Sequence, residues 1–244
     1  MSGAGGGSDR PVTPVLIKTA AEQPWPDDQR TFYILGRDGL YLCRNHEFFQ
    51  SCVPARRGPS ELEEQATFLR PRFPMIPRAI FERAVGFFDQ VADLHTAEAA
   101  VLLVWDRKLK RVRLTVPEQT ATVSATWNGT RYPIGVHYVP PSNLPTDWVP
   151  FGDIHSHVDY SAYASSTDVA DEVHTAGLHV VVGRILSEPP EIHVEAVVDG
   201  TRFKLDASQV IEDYHRRRMN VPGAWIDRVQ IKEVGWGWSS GSVS

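Results

Sequence analysis

Cysteine is nearly absent from this chain: Cys43 and Cys52 are the only two in 244 residues. So few thiols exclude a disulfide framework as the source of stability, and neither has the Cys-x-x-Cys spacing of a metal knuckle. The two could pair, but in a chain with no export signal they are expected to be reduced and without a special role. Basic runs are missing as well. Arg216-Arg217-Arg218 is the longest, and the net charge is −5, which argues against nucleic acid as a partner. The longest apolar run, 99–105, falls far short of the ~20 residues that cross a bilayer. The first residues are Gly and Ser rather than an apolar leader, so a cytoplasmic protein with no membrane partner is expected. What the chain does have is 42% hydrophobic residues, with seven Trp and ten Phe, enough to build a sizeable core.

Residues 1–11 read as a disordered tail. An accessory extension, 12–77, follows and is β-rich at its start: apolar runs at 32–35 and 40–43 flank an Asp38-Gly39 hairpin signal. A short helix is expected over 60–68, then a stretch broken by Pro71, Pro74 and Pro77. From there the pattern becomes regular. Ile80, Phe81, Ala84, Val85, Phe88 and Val91 recur at helical spacing, so 78–94 reads as an amphipathic helix behind Pro77. Strands are expected at 99–105 and 111–116, then at 120–126 and 131–139 around an Asn128-Gly129 turn. Further strands follow at 151–157, 178–186, 191–198 and 201–205, with helices at 166–176 and 207–219. This order predicts a catalytic-size α/β domain over 78–220, a mixed sheet flanked by helices. A C-terminal tail, 221–244, carries one strand at 229–234 and Trp236 and Trp238 near its end.

The stretch with most chemical content is His155-Ser156-His157, seven residues, then Ser165-Ser166-Thr167-Asp168. On a strand, positions i and i+2 face the same side, so both imidazoles can reach one metal ion. A loop returns, and a helix beginning near Ser165 places Asp168 in its first turn. Two imidazoles and a carboxylate on zinc leave a fourth position for water, as catalytic sites do. Taken alone, each half has a plainer meaning: His-x-His arises often by chance, and Ser165-x-x-Asp168 is also a helix-capping box. The remaining histidines, His95, His137, His174 and His179, are expected to be surface or packing residues. Glu82, four residues after Arg78, reads as a solvated charge on a helix face.

The full string His-Ser-His-x7-Ser-x-x-Asp resembles the JAMM motif of the MPN/JAB zinc peptidase family, matching at all four motif residues and at the gap. The resemblance spans roughly 78–205. Val158 and Asp153 depart from it, standing where the family usually has Pro and an aromatic; neither position binds metal in the family. The resemblance implies a cytidine-deaminase-like MPN core and one Zn2+ per chain on His155, His157 and Asp168. It implies Ser165 as hydrogen-bond donor to the oxyanion. It also implies a glutamate general base at the start of the strand after the first long helix, where Glu98 stands; an exposed strand-end carboxylate is the plainer reading of that residue. The activity implied is hydrolysis after the C-terminal glycine of a ubiquitin-like protein, in precursor processing or in removal from conjugates. The implied partners are that protein, its conjugates, and the activating and conjugating enzymes of the same pathway, with the extension favouring a bacterial-type member. Two other readings stand beside it: an MPN-type scaffold without catalysis, and a zinc amidase acting on a small substrate.

Overall fold

The computed structural model describes residues 12–165 and 176–235. It divides into two compact units, Met1–Thr67 and Phe68–Ser244, of mixed α/β character in which sheet predominates.

The first unit is a four-stranded sheet of order β1-β2-β3-β4, with β1 at Val15–Ile17, β2 at Thr31–Gly36, β3 at Gly39–His46 and β4 at Phe49–Pro54. The hairpin foreseen at Asp38-Gly39 forms, and Gly39 takes a φ of 130° that side chains resist. Phe32 and Cys43 are fully buried, and Trp25 meets the Phe32 ring edge-on at 5.0 Å. The helix expected over 60–68 is absent. Its two large apolar residues, Leu62 and Phe68, are exposed, so no apolar face was buried to offset the cost of helix nucleation.

The second unit begins with α1, Arg78–His95, which buries Phe81, Ala84, Val85, Phe87, Phe88 and Val91. The helix ends at Thr96 in a left-handed conformation. Six strands follow in one sheet of order β12-β11-β10-β9-β5-β6: β5 Ala100–Asp106, β6 Arg111–Thr115, β9 Trp148–Ser156, β10 Gly177–Gly183, β11 Glu191–Val198 and β12 Thr201–Leu205. A second sheet, β13-β7-β8, joins β7 Gln119–Ala125 and β8 Arg131–Tyr138 to β13, Val229–Gly235, with β13 parallel to β7. β9 and β10 are parallel neighbours. The helix expected at 166–176 falls mostly outside the described residues. A short helix, α2, covers Gly223–Ile226, and its Trp225 packs edge-on against Phe87 of α1.

Two expectations are corrected here. The helix foreseen over 207–219 is only a 3-10 turn, Ala207–Gln209, and the following segment lies extended across α1. Glu82 is the cause. Far from solvated, it is 4% exposed, and it accepts hydrogen bonds from the backbone N–H groups of His215 (3.0 Å) and Arg216 (3.2 Å) and from Arg218 Nε (3.3 Å). Donors that would have closed helical turns are satisfied by this carboxylate instead. Gly86 permits the approach: a Cβ there would sit 1.8 Å from the Arg218 carbonyl oxygen. Arg217 completes the anchor, pairing with Asp89 and Glu188 and donating to the carbonyls of Ile185 and Ser187.

Candidate metal and acid–base site

β9 carries Asp153 and His155 on one side and His157 follows directly after its end; all three are buried, with the two histidines only 6% and 5% exposed. Their imidazole centroids are 5.3 Å apart, with the rings tilted by 44°. The neighbouring strand accounts for the room they need: Ala100 is the register partner of His155, so a methyl group stands where a larger side chain would crowd the ring.

The second imidazole is oriented by its own loop. His157 Nδ1 lies 3.2 Å from the Ser161 carbonyl oxygen. A carbonyl only accepts, so Nδ1 carries the proton and the lone pair of the neutral ring sits on Nε2, the form a metal ligand needs. Tyr163 packs edge-on against the same ring at 5.2 Å. The loop is tied to β10 and its continuation: His157 N–H donates to Val182 O (2.9 Å), Arg184 N–H to Tyr160 O (2.8 Å) and Ile185 N–H to Val158 O (2.8 Å). Ala162 N–H donates to Glu191 Oε2 (3.1 Å), while Arg184 bridges Glu191 and Ser161. Gly183 lets this loop lie flat, since a Cβ there would come within 2.4 Å of Ala162 N and Tyr160 O.

Glu98 is 8% exposed and lies two residues ahead of β5, not the exposed strand-end carboxylate of the plainer reading. Continuing the Ala100–His155 register by two residues sets Glu98 across from His157, on the same side of the sheet as both imidazoles. Two side chains hold this stretch of backbone. Ser156, inside the histidine motif, donates its N–H to Ala99 O (2.9 Å) and accepts from Ala99 N–H at Oγ (3.1 Å). Gln119 of β7 does the same for Ala100, accepting from its N–H (2.7 Å) and donating to its carbonyl (3.0 Å). The amide of Gln119 thus serves Ala100 in place of a strand partner, because β6 pairs only from Leu102 onward.

Asp153 adds a group that sequence reasoning treated only as a departure from a motif. Its carboxylate accepts from Tyr138 Oη (2.6 Å) and lies 3.3 Å from Nδ1 of buried His179, its register partner on β10. Burial drives its pKa upward, but His179, the charge of His155 and the Tyr138 hydrogen bond outweigh it, and the net shift is below the ordinary value. His179 is therefore a packing residue with a polar partner rather than a surface one. Alternation along β9 places Asp153 on the histidine side; His179 and Tyr138 come from distant strands and left no local signal. Of the other histidines, His95 is half-buried, His137 is exposed, and His174 lies outside the described residues.

Ser165 is half-buried at the end of the described loop, and Asp168 lies outside the described residues. The structure thus places His155 and His157 side by side and buries Glu98 just ahead of β5. Among the described residues no three His, Cys, Asp or Glu side chains are grouped to hold a metal ion, and the third expected ligand is not among them. No helix among them is long and apolar enough to cross a membrane.

No protein-family model matches the sequence, and no curated protein does. Solved structures do. A JAB1/MPN domain protein from Archaeoglobus fulgidus is similar over 57% of this chain and 99% of its own, at 17% identity and a TM-score of 0.32. A protein from Desulfitobacterium hafniense, solved in solution, is similar over 59% of this chain and 94% of its own, at 14% identity and a TM-score of 0.35.

Proposed function

We propose that this chain is a zinc-dependent peptidase of the JAMM/MPN kind, with a cytidine-deaminase-like core flanked by helices. It cleaves the bond after the C-terminal glycine of a ubiquitin-like protein, from a precursor or a conjugate, in the cytoplasm beside the activating and conjugating enzymes of that pathway. The observation that carries the reading is the arrangement of His155, His157 and Glu98. Two buried imidazoles lie 5.3 Å apart at the end of β9, one is oriented through Nδ1 by a backbone carbonyl, and the Ala100–His155 register, carried two residues further, supports a buried carboxylate opposite it. This donor set fits zinc, with His155, His157 and Asp168 as the holding residues and one position left for water.

Zinc bound there would supply Lewis acidity, polarising a carbonyl and making water acidic enough to be deprotonated near neutral pH. Glu98 takes that proton and delivers it to the leaving amine. Ser165 donates a hydrogen bond to the oxyanion as it develops, a contact that typically contributes about 3 kcal/mol to the transition state. Ser156 and Gln119 hold the backbone that carries Glu98, so the base stays in register with the histidines. An extended C-terminal tail can bind by adding a strand to a sheet edge, and β6, β8 and β12 are edge strands.

The test is the zinc content of the full chain, followed by cleavage of a ubiquitin-like fusion. Wild type should carry about one zinc; His155→Ala and Asp168→Ala should lose it; Glu98→Gln should keep it and lose cleavage. No zinc after reconstitution would overturn the metal site, and cleavage retained by Glu98→Gln would remove Glu98 from the mechanism.

A further inference from the structure

The two cysteines occupy directly opposed positions on β3 and β4: Cys43 is the register partner of Cys52. The hairpin closes at His46–Phe49, and Ala55 N–H donates to Leu40 O at its other end. Hydrogen-bonded and non-bonded pairs alternate along an antiparallel ladder, and counting from either end makes Cys43–Cys52 a non-bonded pair. Such pairs have Cα atoms about 4.5 Å apart, inside the span a disulfide bridges, and their side chains point to the same side. Cys43 is fully buried beside Phe32, whereas Cys52 is exposed.

Cys52 also lines a cavity of about 670 Å³ in this unit, walled by Leu16, Trp25, Ile34 and Tyr41. The charged residues of its lining are Lys18 and Arg37 with one carboxylate, Asp38. A small molecule with apolar substance and carboxylate groups fits this lining.

We infer that Cys43 and Cys52 form a reversible cross-strand disulfide by exchange with a small anionic disulfide of the glutathione type, which enters through this cavity. Cys52, as thiolate, attacks one sulfur of the small disulfide. The S–S bond breaks, one small thiolate leaves and takes up a proton, and a mixed disulfide remains on Cys52. Cys43 then loses its proton to solvent and attacks the Cys52 sulfur; the second small thiol leaves. The protein dithiol loses two electrons and two protons, the small disulfide gains both, and no other oxidant is needed. The order follows from the surroundings. Burial, then the hydrogen bond and charge of Cys52, push the Cys43 thiol up to about 12, so it is a poor first nucleophile. The last two of those influences vanish once Cys52 is capped. With one partner exposed, the bond stays open to reduction.

The experiment treats the full chain with oxidised glutathione, then alkylates it under denaturing conditions and maps both cysteines by mass spectrometry. Wild type should show an intramolecular disulfide that dithiothreitol reopens. Cys43→Ser should stop at a glutathione adduct on Cys52, and Cys52→Ser should leave Cys43 a thiol. A wild-type protein that stays fully alkylatable, stops at the adduct, or links two chains would overturn the inference without reliance on any variant. Lys18→Gln with Arg37→Gln should slow exchange with glutathione disulfide roughly tenfold and leave exchange with neutral hydroxyethyl disulfide unchanged. Equal rates with the anionic reagent would overturn entry through the cavity.

Discussion

Replacing Gly183 by Ala sets a methyl group 2.4 Å from Ala162 N and Tyr160 O and 2.6 Å from Ser161 C, all backbone atoms of the loop that follows His157. Ordinary contacts of this kind need more than 3 Å, so the loop must withdraw by on the order of 1 Å. That displacement carries Arg184 N···Tyr160 O (2.8 Å) and Ala162 N···Glu191 Oε2 (3.1 Å) beyond hydrogen-bond range. The first contributes about 1 kcal/mol net, whereas the second, to a solvent-exposed carboxylate, adds little. With residual strain, the loss should be about 2–3 kcal/mol, or roughly 5–10 °C in Tm for a chain of this size. Unfolding measured in chelator keeps metal linkage out of the comparison. The same withdrawal pulls Ser161 O from His157 Nδ1, so on the proposed function zinc affinity should fall as well. Gly135→Ala is the control, because nothing lies within 4 Å of a Cβ there; it should stay within about 0.5 kcal/mol. If Gly183→Ala unfolds within a degree of wild type and holds zinc as tightly, the loop is not seated as argued.

Glu82→Ala should destabilise by about 2–4 kcal/mol in denaturant unfolding, because the His215 and Arg216 N–H groups lose their acceptor. Burial raises the Glu82 pKa, but those bonds and Arg218 hold it below the ordinary 4.5. Its stabilisation is therefore complete above that value and lost as pH falls through the lower folded pKa, so wild type and Glu82→Gln should converge in acid. Gln119→Leu should cost about 2–3 kcal/mol by leaving the buried Ala100 N–H and C=O unmatched; with Glu98 loosened, cleavage should fall further than zinc content, and parallel losses would refute the positioning role. Tyr138→Phe should cost about 1.5–3 kcal/mol by thermal unfolding, since Tyr138 ties β8 of one sheet to buried Asp153 of the other; no change would show the bond to be idle.

Local signals carried the elements they could reach. Helical spacing marked α1 to within a residue, and Asn128-Gly129 marked the β7–β8 hairpin, where Gly129 has a φ of 83°. The i, i+2 spacing likewise anticipated that the His155 and His157 rings lie close together. What sequence missed was decided at a distance. Glu82 looked paired with Arg78, four residues away, yet its acceptors are used by residues more than 130 positions downstream, and the same bonds removed the expected 207–219 helix. Gln119 fell just outside an expected strand and Tyr138 read as an ordinary strand residue, because their partners, Ala100 and Asp153, lie on other strands. A pattern that repeats along one element is visible in sequence; a side chain that serves another element's backbone is not.

The β9 stripe also bears on why the site is where it is. Three ionisable groups on one side of a buried strand are costly unless each finds a partner, and an apolar set of like volume would serve packing as well. The neighbouring strand shows that alternative beyond His179, where Val180, Val181 and Val182 fill β10 with apolar side chains. On β9 the surrounding structure is instead arranged around the polar groups. Ala100 leaves space at His155, the Ser161 carbonyl meets His157, Tyr138 and His179 meet Asp153, and Gly183 admits the loop that supplies the carbonyl. Concessions of this kind, drawn from three separate strands and a loop and converging on Asp153 and two imidazoles, support the proposed site over a core built only for stability.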